Sequence, residues 1–223
     1  VPVRLPSDWP KHYIDALASG EPLKKFILVD REGRRLPFQM LRIDRDTTYK
    51  RLAANGRRST ASDDTYHLAL ELDLPACGYT GFRVEPTDEA TRNFGTLRTE
   101  PMAASNGLIE FQLRPDGVGD LTHLATGEVY FNLFVYEDSG DAGDGWTRGP
   151  LVSDRVVVTP GSRVTTSIEE DGPLRCTFRV DREIDLPRGL EPKAWRRSED
   201  RATVRIIDRI TVEKGLPCLR VRA

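Results

Sequence analysis

Histidine is nearly missing: His12, His67 and His123 are all that the 223 residues contain. A hydrolase triad needs a histidine base, and nothing in the spacing joins these three to a nucleophile or an orienting carboxylate. Cysteine is as scarce, with Cys77, Cys176 and Cys218 odd in number and far apart. There is no Cys-x-x-Cys, and no histidine stands at ligand spacing from a cysteine, which argues against a structural zinc site. Buried free thiols in a reducing, cytoplasmic compartment are the expectation. No apolar run approaches the ~20 residues of a membrane span, and no basic-then-apolar leader opens the chain. The phosphate-cradling glycine loops and the Gly-x-Ser-x-Gly elbow are missing as well.

Charge of one sign is also lacking. Net charge is −2 with 30% charged residues, so neither nucleic acid nor an anionic membrane is an expected partner. The basic pairs Lys24-Lys25, Arg34-Arg35, Arg57-Arg58 and Arg196-Arg197 are scattered among acidic neighbours and read as solvated faces and loops. The chain opens at Val1 without an initiator Met, and the expectation is a piece of a longer protein.

What is present is strand signal. "KKFILVDREGRRLPFQMLRI" holds two apolar runs around an Asp/Glu/Gly turn, a hairpin with Gly33 in its turn. In "TYHLALELDLP", Tyr66, Leu68, Leu70 and Leu72 alternate with His67, Ala69, Glu71 and Asp73. Residues 86–104 are polar, with proline near each end, and read as a linker. After it, "NGLIEFQLRPDGVGDLTHLATGEVY" gives strand, Pro-Asp-Gly turn, strand and Thr-Gly turn. The later segments repeat the pattern, as antiparallel sandwiches do. The fold class predicted is all-β, with a small sandwich over 1–85, the linker 86–104, and a larger sandwich over 105–223. Core candidates are Phe26, Leu28, Phe38, Leu70, Ile109, Phe111, Leu133, Val157, Phe178, Val204 and Ile206. One helix candidate stands out, "SDWPKHYIDALASG", with Ser7 or Asp8 as N-cap and Gly20 as stop.

The densest chemistry follows the apolar run Tyr130–Tyr136, read as a buried strand. Glu137, Asp138, Asp141 and Asp144 come within eight residues, interleaved with glycines and followed by Trp146. Three readings are open. Gly and Asp suit a solvated turn. Hard oxygen ligands suit Ca²⁺, although a spacing of three residues between the aspartates departs from the EF-hand pattern. Carboxylates with an aromatic neighbour also suit a sugar, which offers hydroxyls and a stacking face. The candidate substrate-binding residues are Asp138, Asp141, Asp144 and Trp146; no catalytic or metal-binding residue is assigned.

Several motifs together resemble glycoside hydrolase family 38, the α-mannosidases and mannosylglycerate hydrolases. They are Asn106, Pro115-Asp116-Gly117, Thr126-Gly127, Glu137-Asp138, Gly140-Asp141 and Gly143-Asp144, in that order. "LVDREGRRLPFQML", "LPACGYTGFRVEP" and "EEDGPLRCTFRV" are similar to further family segments, so the resemblance spans nearly the whole chain. The Gly-Asp-x-Gly-Asp stretch resembles the bacterial branch; where mannosylglycerate hydrolases carry Glu-Tyr, this chain has Gly145-Trp146. The resemblance implies a small β-sandwich followed by the first part of a large galactose-mutarotase-like β-supersandwich. It implies a non-catalytic piece of a zinc-dependent retaining enzyme acting on α-mannosides in mannose metabolism. The nucleophile, general acid and zinc of such an enzyme belong to an N-terminal catalytic domain that these residues do not include. This piece would hold no cofactor and be inactive alone. Its partners would be carbohydrate, the parent's catalytic domain and, through a truncated sheet edge, a second copy of itself. The alternative is a free-standing non-catalytic β-sandwich module that binds carbohydrate or a partner protein.

Overall fold

The computed structural model describes residues 1–12, 23–52, 56, 58–89, 94–191 and 195–223. Among these residues there is no helix. Where the sequence signals a helix, Ser7 and Asp8 lie in a turn closed by Trp9 N–H donating to the Pro6 carbonyl at 3.0 Å, and Lys11–His12 is a short strand. That part of the expectation is corrected, because Pro10 follows the turn and the chain pairs with Leu23–Lys24. The remainder of the candidate, 13–20, lies outside the described residues. The chain forms two compact units, Val1–Gly95 with Gly172–Arg175, and Thr96–Asp171 with Cys176–Ala223.

The first unit holds β1 (Pro2–Pro6), β2 (Lys11–His12), β3 (Leu23–Lys24), β4 (Phe26–Val29), β5 (Arg35–Leu36), β6 (Phe38–Leu52), β7 (Arg58–Leu70) and β8 (Arg83–Pro86). Sheets β1-β7-β6 and β5-β4-β8 enclose Val3, Leu5, Phe26, Leu28, Phe38, Tyr66 and Leu68. Alternation dictates this core, since side chains two apart share a face. Phe26 stacks on Phe38 at 5.1 Å and meets Tyr66 edge-on at 5.3 Å. The β4–β5 hairpin turns at Asp30–Arg34, where Asp30 Oδ1 accepts the amides of Glu32 and Arg34 at 3.0 and 2.8 Å. Lys24 is buried, yet its Nζ donates to the Leu5 carbonyl and pairs with Asp64, both at 3.0 Å. Burial would raise the Asp64 carboxyl, but Lys24 and the Asp46 amide outweigh it and hold it below the usual range.

The second unit holds β9 (Arg98–Glu100), β10 (Ala103–Ser105), β11 (Ile109–Leu113), β12 (Gly119–His123), β13 (Glu128–Leu133), β14 (Glu137–Asp138), β15 (Val157–Val158), β16 (Arg163–Asp171), β17 (Arg175–Pro187), β18 (Arg201–Glu213) and β19 (Leu219–Arg222). Sheets β13-β12-β11-β10-β9 and β16-β17-β18-β19 close over Phe111, Leu113, Phe178, Val180, Ile210 and Val212. Each such side chain contributes roughly 1.5–3 kcal/mol when fully buried. The Pro-Asp-Gly turn joins β11 to β12: Gly117 has φ +80, and its N–H reaches the Arg114 carbonyl at 2.9 Å. A Cβ on Gly117 would stand 2.8 Å from Val180 Cγ1, so the turn requires glycine for space as well as for its backbone.

Several expectations are corrected here. Tyr130–Tyr136 is not a buried strand. β13 lies at the sheet edge, Phe131 is 68% exposed and Tyr130 and Val135 are exposed too. Asn132 and Phe134 adopt left-handed φ of 58 and 67, which breaks the two-residue alternation. Val204 is exposed, and Leu70, Leu133, Val157 and Ile206 are only half-buried. In β18 the inward positions that reach the core are Asp208, Ile210 and Val212, farther along the strand. Of the three thiols only Cys176 is buried; Cys77 and Cys218 are exposed.

Candidate functional site

The acidic loop is a stapled hairpin. β14 pairs with β15, Asp141 bridges Pro150, and the Ala142 amide donates to the Gly149 carbonyl at 2.8 Å. Asp141 Oδ1 accepts the amides of Gly143 and Gly149, each at 2.8 Å. Asp144 Oδ1 accepts those of Trp146 and Thr147 at 2.9 and 2.7 Å. Short carboxylates satisfy nearby backbone donors in this way wherever a chain reverses tightly. The amides of Gly149 and Gly143 hold the Asp141 carboxyl below its ordinary value, and those of Trp146 and Thr147 do the same for Asp144. Gly143 faces the Thr147 carbonyl so closely that any Cβ would overlap it. The hairpin therefore needs both its aspartates and its glycine. At its tip Trp146 is 97% exposed.

Asp138 sits at the hairpin's base and has a different role. Arg197 Nη2 donates to Asp138 Oδ2, and Arg197 Nη1 donates to the Asp138 carbonyl at 3.1 Å. Asp154 completes the base: its Oδ2 accepts the Gly140 amide at 2.5 Å, and its Oδ1 is 3.9 Å from Arg197 Nη1. Arg197 is nearly buried, which corrects the reading of Arg196-Arg197 as a solvated pair; Arg196 alone is exposed, bonded to Glu191 at 2.6 Å. Arg197 belongs to a second ribbon, in which Leu190 bridges Arg197 and the Ser198 amide reaches the Gly189 carbonyl at 2.8 Å. That ribbon carries Trp195, 70% exposed. Sequence reasoning missed Arg197, Asp154 and Trp195. The legible signal was a tryptophan beside an arginine pair in a turn-rich stretch, "KAWRRSED".

Beneath the hairpin lies a buried polar network. Arg182 of β17 and Asp208 of β18 form an ion pair with both side chains 0% exposed. Arg182 also donates to the Gly117 carbonyl and lies 5.5 Å from the centre of the Tyr136 ring. Tyr136 O–H donates to Asp208 Oδ1 at 2.5 Å. Burial and that bond to Asp208 push the Tyr136 hydroxyl up to about 12. Tyr136 immediately precedes Glu137, and its amide and carbonyl bind Thr159 Oγ1 and N–H at 2.9 and 3.0 Å. The network thus fixes where the hairpin leaves the sandwich.

Metal chemistry finds no cluster here. Among the described residues no three His, Cys, Asp or Glu side chains converge. His67 contacts Asp44 at 2.9 Å and His123 contacts Thr126 at 3.0 Å, on separate elements. This donor set does not fit a tetrahedral zinc site.

No protein-family profile and no curated protein matches the sequence. The fold does match. An α-mannosidase from Enterococcus faecalis V583 superposes with a TM-score of 0.73 at 16% identity, over 98% of this chain and 27% of that one. A protein in glycosyl hydrolase family 38 from Enterococcus faecalis gives 0.73 at 14% identity, over 98% and 28%. The chain thus has the all-β fold of one region of such enzymes, and spans about a quarter of the length of the solved structures it matches.

Proposed function

We propose that this chain is the non-catalytic β-sandwich part of a zinc-dependent, retaining α-mannosidase-like glycoside hydrolase, and that its acidic hairpin helps to complete the substrate cleft. The observation that carries the reading is the superposition of 98% of the chain on an α-mannosidase region. The hairpin supports the finer statement. Its aspartates Asp141 and Asp144 hold the backbone, Asp138 is clamped by Arg197, and the tip presents an indole to solvent. An exposed indole on a hydrogen-bonded turn suits the apolar face of a pyranose or a groove on the catalytic domain. Zinc would be held by that domain, as the donor set here does not fit it.

The test is kinetic, on the intact parent enzyme with an aryl α-mannoside. Trp146→Ala, Asp141→Ala and Asp144→Ala should each lower kcat/KM by roughly tenfold or more, about 1.4 kcal/mol of transition-state stabilisation. Wild-type kinetics in all three, with folding intact, would leave the hairpin a solvated turn. The 223-residue chain alone should turn over no aryl α-mannoside and hold no zinc tightly. The alternative, a free-standing carbohydrate- or protein-binding module, is decided by the parent gene: a His-x-Asp pair in a long α/β region upstream supports the enzyme. Self-association through β19, the edge of its sheet with Val221 exposed, belongs to the same reading. Sedimentation at rising concentration tests it, and a strict monomer overturns it.

A further inference from the structure

Two ribbons of the second unit meet at one clamp, and each carries an exposed indole. Trp146 is 97% exposed on the acidic hairpin, and Trp195 is 70% exposed two positions before Arg197. Arg197 binds Asp138 at the hairpin's base through both terminal nitrogens. Its stem packs on Gly140, where a Cβ would stand 3.2 Å from Arg197 Cγ and 2.4 Å from Leu151 Cδ1. Further apolar side chains of the same ribbons face water: Val152 fully, and Val156 and Leu190 in part. Tryptophan is among the residues most enriched at the energetic centres of interfaces, and large apolar side chains grouped in water mark a surface that meets something.

Trp195 is strained as well as exposed. Its φ is 49, in the left-handed region that a bulky side chain rarely enters. Such strain persists where the surrounding chain imposes it, and it collects at functional positions. Here the flanking bonds impose it: the Glu191 amide donates to the Arg196 carbonyl at 3.0 Å, and Leu190 bridges Arg197. The ribbon thus holds an indole in water at a cost to its own backbone.

The polar groups around the indoles decide what they meet. A sugar site needs free donors and acceptors beside its stacking ring. Asp138 is taken by Arg197 and Asp154 by the Gly140 amide, while Asp141 and Asp144 each give Oδ1 to two amides of their own turn. Arg148 donates to Ser139 Oγ at 2.8 Å, and Arg196 to Glu191 at 2.6 Å. What the ribbons offer outward is therefore mainly apolar. Area then chooses among protein occupants. An indole buries about 150–250 Å², so the pair falls short of the roughly 800 Å² a side that a separate protein or a second copy needs. It suits the smaller interfaces that join domains of one chain, about 600–1,500 Å² in all, because a covalent tether removes much of the cost of association.

We propose that Trp146 and Trp195 are twin anchors that dock into an apolar protein groove on the remainder of the parent polypeptide, with Arg197 setting both arms. In taking this chain, which spans about a quarter of the solved structures it matches, as part of a longer enzyme, the inference rests on the reading above. It deepens that reading by giving the indoles to protein and not to sugar.

The test is hydroxyl-radical footprinting read by mass spectrometry, on the 223-residue chain and on the intact parent at equal radical dose. In the chain, Trp146, Trp195 and Val152 should oxidise fast. In the parent, all three should be protected roughly fivefold or more, as anchors buried at an interface are. In a parent carrying Trp146→Ser and Trp195→Ser, both at exposed positions, Val152 should lose its protection. Arg197→Lys in the parent should weaken the protection of both indoles together, and an effect on one alone would overturn the shared clamp. Equal oxidation in chain and parent would overturn the docking. Protection of the isolated chain by methyl α-D-mannopyranoside would return the indoles to sugar and overturn it too. Protection that grows with the chain's own concentration would make a second copy the occupant, with the same result. The enzyme reading is decided apart from this one. A parent that turns over an aryl α-mannoside with both indoles exposed keeps that reading and loses the docking; an inactive parent with both indoles protected does the reverse.

Discussion

Arg197 grips Asp138 twice, with Nη2 on the carboxylate and Nη1 on the main-chain carbonyl at 3.1 Å. One side chain thereby joins two ribbons, each of which carries an exposed tryptophan, Trp146 and Trp195. The geometry makes Arg197 the fastening of the hairpin's base.

Arg197→Ala should accordingly loosen that base. It removes charge-assisted bonds to Asp138 and leaves Asp154 without its cation, a loss of roughly 1.5–3 kcal/mol. Urea unfolding followed by tryptophan fluorescence measures it. Arg197→Lys should recover only part, because an ammonium cannot make the forked contact. Full stability of Arg197→Ala would show that the clamp is incidental.

The Arg182–Asp208 pair should behave as buried pairs do. Arg182→Met alone strands Asp208 and should cost about 3–5 kcal/mol. The double variant Arg182→Met, Asp208→Leu should recover most of that loss, since two apolar groups need no partner. A double variant no better than the single would mean that the pair's bonds to Gly117 and Tyr136 dominate.

Alkali should expose the same network. The Tyr136 hydroxyl is raised to about 12 by burial and its bond to Asp208. A raised folded value favours the protonated form, so its stabilisation is fully present below the unfolded value near 10 and is lost between about pH 10 and 12. Burial raises the Tyr66 hydroxyl as well, and Glu128 raises that of Tyr130, so ultraviolet titration should show several late tyrosines, with one late component lost in Tyr136→Phe. At the acid end the sign reverses. Bonds from Arg205 and then Arg179 lower the Asp181 carboxyl to about 2, so its contribution persists above the unfolded value and fades as pH falls toward 2.

Thiol labelling reads the fold directly. Cys77 and Cys218 are exposed and should react with a thiol reagent at once. Burial raises Cys176 to about 12, so it should react only on unfolding. Three fast thiols would contradict the packing of β17 against β11.

Gly143→Ala places a methyl group against the Thr147 carbonyl. It should disorder the hairpin, seen as lost hydrogen-exchange protection at the Gly149 and Thr147 amides, while the sandwich core stays protected. Unchanged protection would mean the turn can open to admit a Cβ.

The sequence by itself determined the fold class and most of its turns, because those signals are local. Two-residue alternation placed Tyr66, Leu68, Phe26 and Phe38 inside, and Gly33, Gly117 and Gly127 mark turns by their need for positive φ. It also located the acidic loop. What each carboxylate does there was decided by tertiary structure. Asp141 and Asp144 serve amides within their own hairpin, whereas Asp138 serves an arginine 59 positions away. No periodicity records a contact between residues so far apart. Edge placement of β13 likewise depends on which strands pair, and it left Phe131 exposed where an apolar run reads as core. Arg182 and Asp208 show the limit most clearly. Both occupy inward positions of their strands, where a charge reads as a broken pattern; only the meeting of β17 with β18 turns two such breaks into one ion pair sealed from water.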